Sequence, residues 1–345
     1  MNKNQKEYLM ANIQDEKKAL RELKKVYLNS LKEVEKKLEQ LLENPELQSK
    51  IYQARYQKAL KKQLEEIINK IDDYSTIDEY LKNCYENNYI GVMYDLKGQE
   101  IPLILPIDQE QVLLALTKET KLTSSLYTTL GYNKKLLAQA INQEISRCIA
   151  SALSYNEIAK NINAKYWIGI NKSQTIARTE GHRVSQIATY QAQLDAKNAG
   201  CRVVKQWDAT MDSRTRRTHS KLDGQIRELE DYFEIEGTNK RALYPSGFGK
   251  PEEDINCRCV SLQRAVWALD EEELETLKKR AEYFGLDKTK DFEEFKKKYL
   301  EINWPEQVIK TIHYFALSKA IKRLLPVETP PIKMLARMEE EKWNF

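Results

Sequence analysis

Between positions 10 and 42 the apolar residues fall at Leu20, Leu23, Tyr27, Leu31, Val34, Leu38 and Leu41. The steps mix threes and fours, which is the seam of a helix that packs along its length against another. Asn44-Pro45 interrupts the seam, because proline removes a backbone donor and restricts the residue before it. A second seam follows through Tyr52, Tyr56, Leu60, Leu64, Ile67 and Ile71. Two helices with a short connection usually lie antiparallel, so residues 5–73 are expected to form a helical hairpin arm. With 11 glycines and 9 prolines in 345 residues, the rest of the chain also favours helix over many-turned β structure.

The pattern changes over 88–106. Apolar runs at Tyr89–Leu96 and Ile101–Leu105 flank Lys97-Gly98-Gln99, which reads as a β-hairpin with Pro102 on an edge strand. Helical spacing resumes from Asp108, and again from Asn133 to about Asn163. Ser154 and Glu157 have capping-box spacing ahead of a new helix. A further helix is expected over 173–199, ending near Gly200, and Cys201–Trp207 reads as a strand. Turns fall at Asp223-Gly224 and Tyr244-Pro245-Ser246-Gly247. Asp270–Glu275 opens a charged helix, and Pro305, Pro326, Pro330 and Pro331 break the remainder into short pieces. The expected fold is α+β and predominantly helical. Its divisions are a helical hairpin arm (1–75), a central helical region with a β-hairpin (76–164), a compact mixed domain (165–264) and a helical tail (265–345).

No run of about 18 apolar residues is present, so no membrane span or membrane partner is expected. The start, Met-Asn-Lys-Asn-Gln-Lys-Glu, lacks the apolar core of a secretory signal. A net charge of +4 from 56 basic and 52 acidic residues permits nucleic-acid contact without arguing for it. Five unevenly spaced cysteines suit free or metal-bound thiols better than a disulfide framework.

Polar residues crowd into Trp207–Gly224 and Asp254–Cys259. In an extended segment Cys257 and Cys259 point the same way. With His219 they offer three soft ligands for zinc, and His182, Asp212 or Asp223 are candidates for a fourth. The alternative is two free thiols, with His219 bonded to a nearby carboxylate; a Cys257–Cys259 disulfide would be badly strained. Arg178 and Glu180 share a helix with His182, an arrangement that can bind an anion and move protons. A structural role is the stronger reading, with Arg178 clamping Asp208 or Asp212 bidentately. Arg214, Arg216 and Arg217 form a basic cluster suited to phosphates, to local acids or to a partner protein. His313 carries no special role.

Several motifs recur in order across 150–262. They are Ile176-Ala-Arg178-Thr179-Glu180, Lys205-Gln-Trp207, Asp212-Ser-Arg214-Thr-Arg216, His219 with Leu222-Asp223-Gly224, Tyr244-Pro245, and Asn256-Cys257-Arg258-Cys259. In these the chain resembles the phage Mu protein F-like head morphogenesis proteins, the minor head or minor capsid proteins of tailed phages. The resemblance implies a non-enzymatic protein of the virion's head interior, made in the bacterial host cytoplasm. It also implies contact with the portal and inner capsid surface, contact with viral double-stranded DNA during packaging or ejection, and a zinc site at His219, Cys257 and Cys259. Some relatives carry toxin domains after this module; the tail here shows no catalytic motif. Two alternatives stand beside it: a nuclease-like metal-dependent hydrolase using His219 and nearby acids, and a DNA-binding protein without turnover.

Overall fold

The computed structural model describes residues 1–42, 54–117, 126–151, 155–267 and 271–304. The Asn44-Pro45 break, Tyr52, Ser154, Asp270, His313 and the four tail prolines lie outside the described residues. Helix α1 (Lys3–Leu42) buries Leu20, Leu23, Tyr27, Leu31, Val34 and Leu38, six of the seven residues of the first seam. Helix α2 (Ala54–Asn69) buries Leu60, Leu64 and Ile68, with Ile67 only half-buried.

The expected β-hairpin over 88–106 is instead the end of a helix, α3 (Tyr74–Gly98), followed by irregular chain. The physical reason lies in its burial. Every residue from Asn87 to Leu96 is buried, so the helix is enclosed on all sides and its apolar run shows no period. A short apolar run of that kind cannot separate a buried helix from a strand. The Lys97-Gly98-Gln99 segment stops the helix: Gln99 N–H donates to Asp95 O and Leu96 O, and Glu100 turns left-handed at φ 65°.

Helices α4 (Gln109–Thr117) and α5 (Leu126–Ala150) lead to α6 (Tyr155–Asn198). The separate helices expected on either side of residue 164 are thus one helix of 44 residues. It passes through the boundary expected there, and Met1–Ile302 is one compact unit. Asn303–Phe345 form a second unit, of which residues 303–304 are described.

The first helix is a wall of the body, not a projecting arm. It runs antiparallel to α6, with Glu16 paired to Arg178 at one end and Glu35 accepting from Asn163 at the other. Between them a buried polar network joins three helices. Lys134 Nζ sits 2.9 Å from Asp73 Oδ1, Tyr27 donates its hydroxyl to Asp73 Oδ2 at 3.0 Å, and Ser173 Oγ donates to Tyr27 at 2.6 Å. A second hub is Asp95, whose carboxylate accepts from Asn2, Gln5, Gln99 and Gln263. Buried polar groups need such partners, and these fix the register of the helices.

After α6, Gly200 takes φ 113° and turns the chain into strand β1 (Cys201–Asp208). Cys201, Val203, Lys205 and Trp207 alternate inward along it. It lies between two antiparallel neighbours, β2 (Ile226–Glu228) and β5 (Val260–Trp267), with Trp207 opposite Ser261. A two-stranded pair, β3 (Phe233–Glu234) and β4 (Arg241–Ala242), closes over Trp207 through Phe233, whose ring meets it edge-on at 5.2 Å. Short helices α7 (Arg217–Ser220) and α8 (Pro251–Asp254) carry the loops. Helices α9 (Glu271–Tyr283) and α10 (Phe292–Leu300) follow, and α10 packs Phe292 and Phe295 on Tyr94. No helix among the described residues is long and apolar enough to cross a membrane.

Candidate metal centre

Three segments far apart in sequence meet beneath Trp207. The first is the end of β1. The turn after it is held by Gly224, at φ 76°, whose N–H donates to Trp207 O at 2.8 Å, and by Asp223 Oδ1 accepting from Ala209 N at 2.8 Å. The second is α7, which buries His219 to 1% exposure. The His219 ring meets Trp207 edge-on and lies 5.7 Å from the Phe248 ring. The third begins at α8, where Pro251 occupies the first turn without loss of a needed donor. Asn256, at φ 55°, then reverses the chain into Cys257; asparagine tolerates that left-handed region better than most residues. Cys257 and Cys259 are buried to 4% and 3% exposure, while Arg258 between them points outward to Asp212.

His219 Nδ1 stands 3.6 Å from Cys257 Sγ and 3.4 Å from Cys259 Sγ. The three ligand atoms lie within 4.8 Å of one another. A nitrogen and a sulfur bound to one zinc at tetrahedral angles would be about 3.6 Å apart, given bond lengths of about 2.0–2.1 and 2.3 Å. The donor set and its spacing therefore fit a zinc ion. Cys84, Cys201, Cys257 and Cys259 are free thiols.

The second face of His219 is equally organised. Its Nε2 stands 3.2 Å from Glu253 Oε2, at an angle that does not make a hydrogen bond. Glu253 is buried, accepts from Thr218 Oγ1 at 3.0 Å and pairs with Lys240 at 2.8 Å. Burial pushes its carboxyl up, but Lys240 and Thr218 outweigh that and hold it below the ordinary glutamate value. A carboxylate behind the distal nitrogen of a metal-binding histidine fixes the ring's orientation and raises its basicity. The thiols are not equivalent. A hydrogen bond from Cys259 draws Cys257 well below the ordinary cysteine value against the effect of burial, with help from His182 and His219. The same bond pushes Cys259 up, and burial adds to that rise.

Other candidates lie elsewhere. The clamp expected from Arg178 onto Asp208 or Asp212 does not form. Arg178 is exposed and its Nε donates to Glu16 on α1 at 3.1 Å. Asp212 is held by Arg258 through both carboxylate oxygens, at 2.7 and 2.6 Å, which keeps its carboxyl well below the usual range. The reason is local: Arg258 projects from the cysteine segment on the same side as the 212 loop, whereas Arg178 faces α1. Asp208 is half-buried, and desolvation raises its carboxyl. Asp212 and Asp223 stand outside the His219–Cys257–Cys259 group. Glu180 is buried and pairs with Arg183, which also donates to Ala115 O at 3.0 Å. In the basic cluster, Arg214 leans on Asp212 at 3.5 Å, Arg216 donates to Ile255 O, and Arg217 is exposed.

Two contributors escaped the sequence reading. Glu253 is one, though the acidic run Glu252-Glu253-Asp254 just before the cysteines was a signal. The other is Trp207, wholly buried, whose ring meets His219 edge-on and walls the site.

Residues 139–262 match the family described as phage Mu protein F like protein. They are a phage Mu F-like module. Two curated relatives extend the likeness. The first is the NAD(+)--arginine ADP-ribosyltransferase EFV of Enterococcus faecalis (strain ATCC 700802 / V583). It is 32% identical over 189 residues, which are 54% of this chain and 38% of that protein. The second is the minor head protein GP7 of Bacillus phage SPP1. It is 28% identical over 253 residues, 70% of this chain and 80% of that one. The chain thus spans well under half of the first relative and most of the second. No solved structure matches. The Mu F-like module contains β1, the start of β5, the cluster beneath Trp207, and the whole of α6 that backs it.

Proposed function

We propose that this chain is a minor head protein of a tailed phage, acting by binding and not by turnover. Its partners in this reading are the portal and the inner capsid surface, with viral double-stranded DNA contacted during packaging or ejection. The observation that carries it is the extent of the likeness to the SPP1 minor head protein, 70% of this chain against 80% of that one. That likeness is longer than the Mu F-like module itself. The transferase name belongs to a protein of which the likeness covers 38%.

In this reading His219, Cys257 and Cys259 hold a zinc ion whose work is to fix the closing loop against β1. When bound, such an ion supplies cross-linking between segments remote in sequence. A hydrolytic site needs an open position reached by water and substrate. Here the three ligand residues are 1–4% exposed, and Asp212 and Asp223 are already engaged by Arg258 and by Ala209 N. The exposed Arg217, with Arg214 beside it, is the surface offered to a phosphate backbone or an acidic partner.

Electron microscopy of purified heads carrying a tagged copy of the chain tests this. Density at the portal vertex on the head's inner side is the expected result. A chain absent from heads, or spread evenly over the outer shell, contradicts it.

A further inference from the structure

The closing segment is fastened to α6 at both ends. Asn256 N–H donates to Thr179 Oγ1 at 3.3 Å, and Ser261 N–H donates to Gln186 Oε1 at 2.9 Å. Positions 179, 182 or 183, and 186 follow one face of a helix. His182 therefore sits on α6 between two fixed points, and the chain between their partners contains Cys257 and Cys259. Its Nε2 is buried and has no hydrogen-bond partner among the described residues. A buried polar nitrogen left idle is costly, and this one belongs to the helix position between the two anchors of the segment that carries both cysteines.

We propose that His182 is the fourth ligand of a closed zinc site, completing the set of His219, Cys257 and Cys259. The inference rests on the reading that those three residues hold the metal, and deepens it. The rival donors are occupied. Both Asp212 oxygens are held by Arg258, Asp223 accepts from Ala209 N, and Asp254 accepts from Phe248 N and Lys250 N. Glu253 pairs with Lys240 and backs His219 from behind. His182 lies outside the 4.8 Å group formed by the other three, so closure takes a side-chain rotation on a backbone that Thr179 and Gln186 already fix. The two histidines and two cysteines are a common donor set for a structural zinc. The bond from His182 would bolt the long helix α6 to the β-sheet, where the other three ligands alone would tie only the loops to one another. Four protein ligands leave no open position, so the site stabilises without catalysing.

The test uses the full chain, purified and loaded with zinc alone. X-ray absorption at the zinc edge of the unsubstituted protein counts ligands without any variant. The expected shell is two sulfurs at about 2.3 Å and two imidazole nitrogens at about 2.0–2.1 Å. In parallel, zinc affinity is measured by competition with a chromophoric chelator. His182→Ala is expected to weaken binding by at least about 10–100-fold, since loss of a ligand's supporting group alone has that effect. His182→Cys is expected to restore it. A shell of two sulfurs, one imidazole and a water oxygen overturns the role of His182 and leaves the three-residue site standing, as does undiminished affinity in His182→Ala. A full chain that takes up no zinc overturns both.

Discussion

Nδ1 of His219 lies 3.4 Å from Sγ of Cys259 although 40 positions separate the two residues in sequence. That approach closes a loop containing β2, β3, β4 and α8 onto the end of β1. The same contact set includes Cys257 and is sealed by Trp207 and Phe248.

Removing one member should therefore loosen the loop. His219→Ala opens a cavity beside Trp207 and strips Glu253 of a buried neighbour. A loss of about 3 kcal/mol is expected for a change of that kind. Urea unfolding followed by Trp fluorescence reads it as a lower midpoint at unchanged slope. A midpoint equal to that of the parent chain would count against the loop-closing role.

Two arginines on α6 should behave oppositely. Arg178 makes an exposed pair with Glu16, and such pairs contribute about 0–1 kcal/mol. Arg183 pairs with Glu180 where both side chains are buried, and removing one partner of a buried pair costs about 3–5 kcal/mol. Arg178→Ala is expected to leave stability nearly unchanged and Arg183→Ala to lower it severely. Equal effects in the same denaturation experiment would show that the bracing role lies elsewhere.

That contrast marks the limit of what the sequence carries. The seam of α1 was legible because one face is buried and the other wet, so Leu20 through Leu38 keep helical spacing. The same logic fails for Tyr89–Leu96, where enclosure on every side erases the period and a helix reads as a strand. At the site, alternation placed Cys257 and Cys259 on one side of their segment, and both are buried with Arg258 turned away. The motif order brought His219 to them. Partner choice was not legible: Arg178 and Arg183 differ only in which helix face they occupy, and that is set by how α1 and α4 pack on α6.

Gly181 tests how closely α6 meets α3. A Cβ placed there would stand 2.4 Å from the Tyr80 hydroxyl oxygen and 2.5 Å from its Cε1. Alanine is worth about 1 kcal/mol over glycine in an open helix, but overpacking costs about 1–3 kcal/mol. Gly181→Ala is expected to destabilise, and Tyr80→Leu in the same chain to recover part of the loss. A more stable Gly181→Ala chain would mean that α3 and α6 have room to part.

Lys205 gives a pH signature. It is wholly buried, donates to Leu229 O at 2.7 Å and lies 5.3 Å from the ring centres of both Tyr190 and Phe233. Burial draws its ammonium down from 10.5 to about 8. The folded chain thus releases this proton near pH 8, whereas the unfolded chain keeps it to 10.5. In that window the unfolded state binds more protons, so stability rises with pH; below it the penalty is constant. Against Lys205→Met, which has no such proton, the parent chain should gain stability from about pH 8 upward and show a flat difference below. A flat difference across the whole range would contradict the shift.

Thermal unfolding of the full chain, with and without a strong zinc chelator, bears most directly on the claim that a metal-bound cluster holds the Mu F-like module in shape. The parent chain should lose at least about 5 °C in Tm on chelation, given the scaling of Tm with stability for a chain of this size. Cys257→Ser, already lacking a ligand, should melt low and ignore the chelator. A parent chain whose Tm stays the same in chelator would contradict the account.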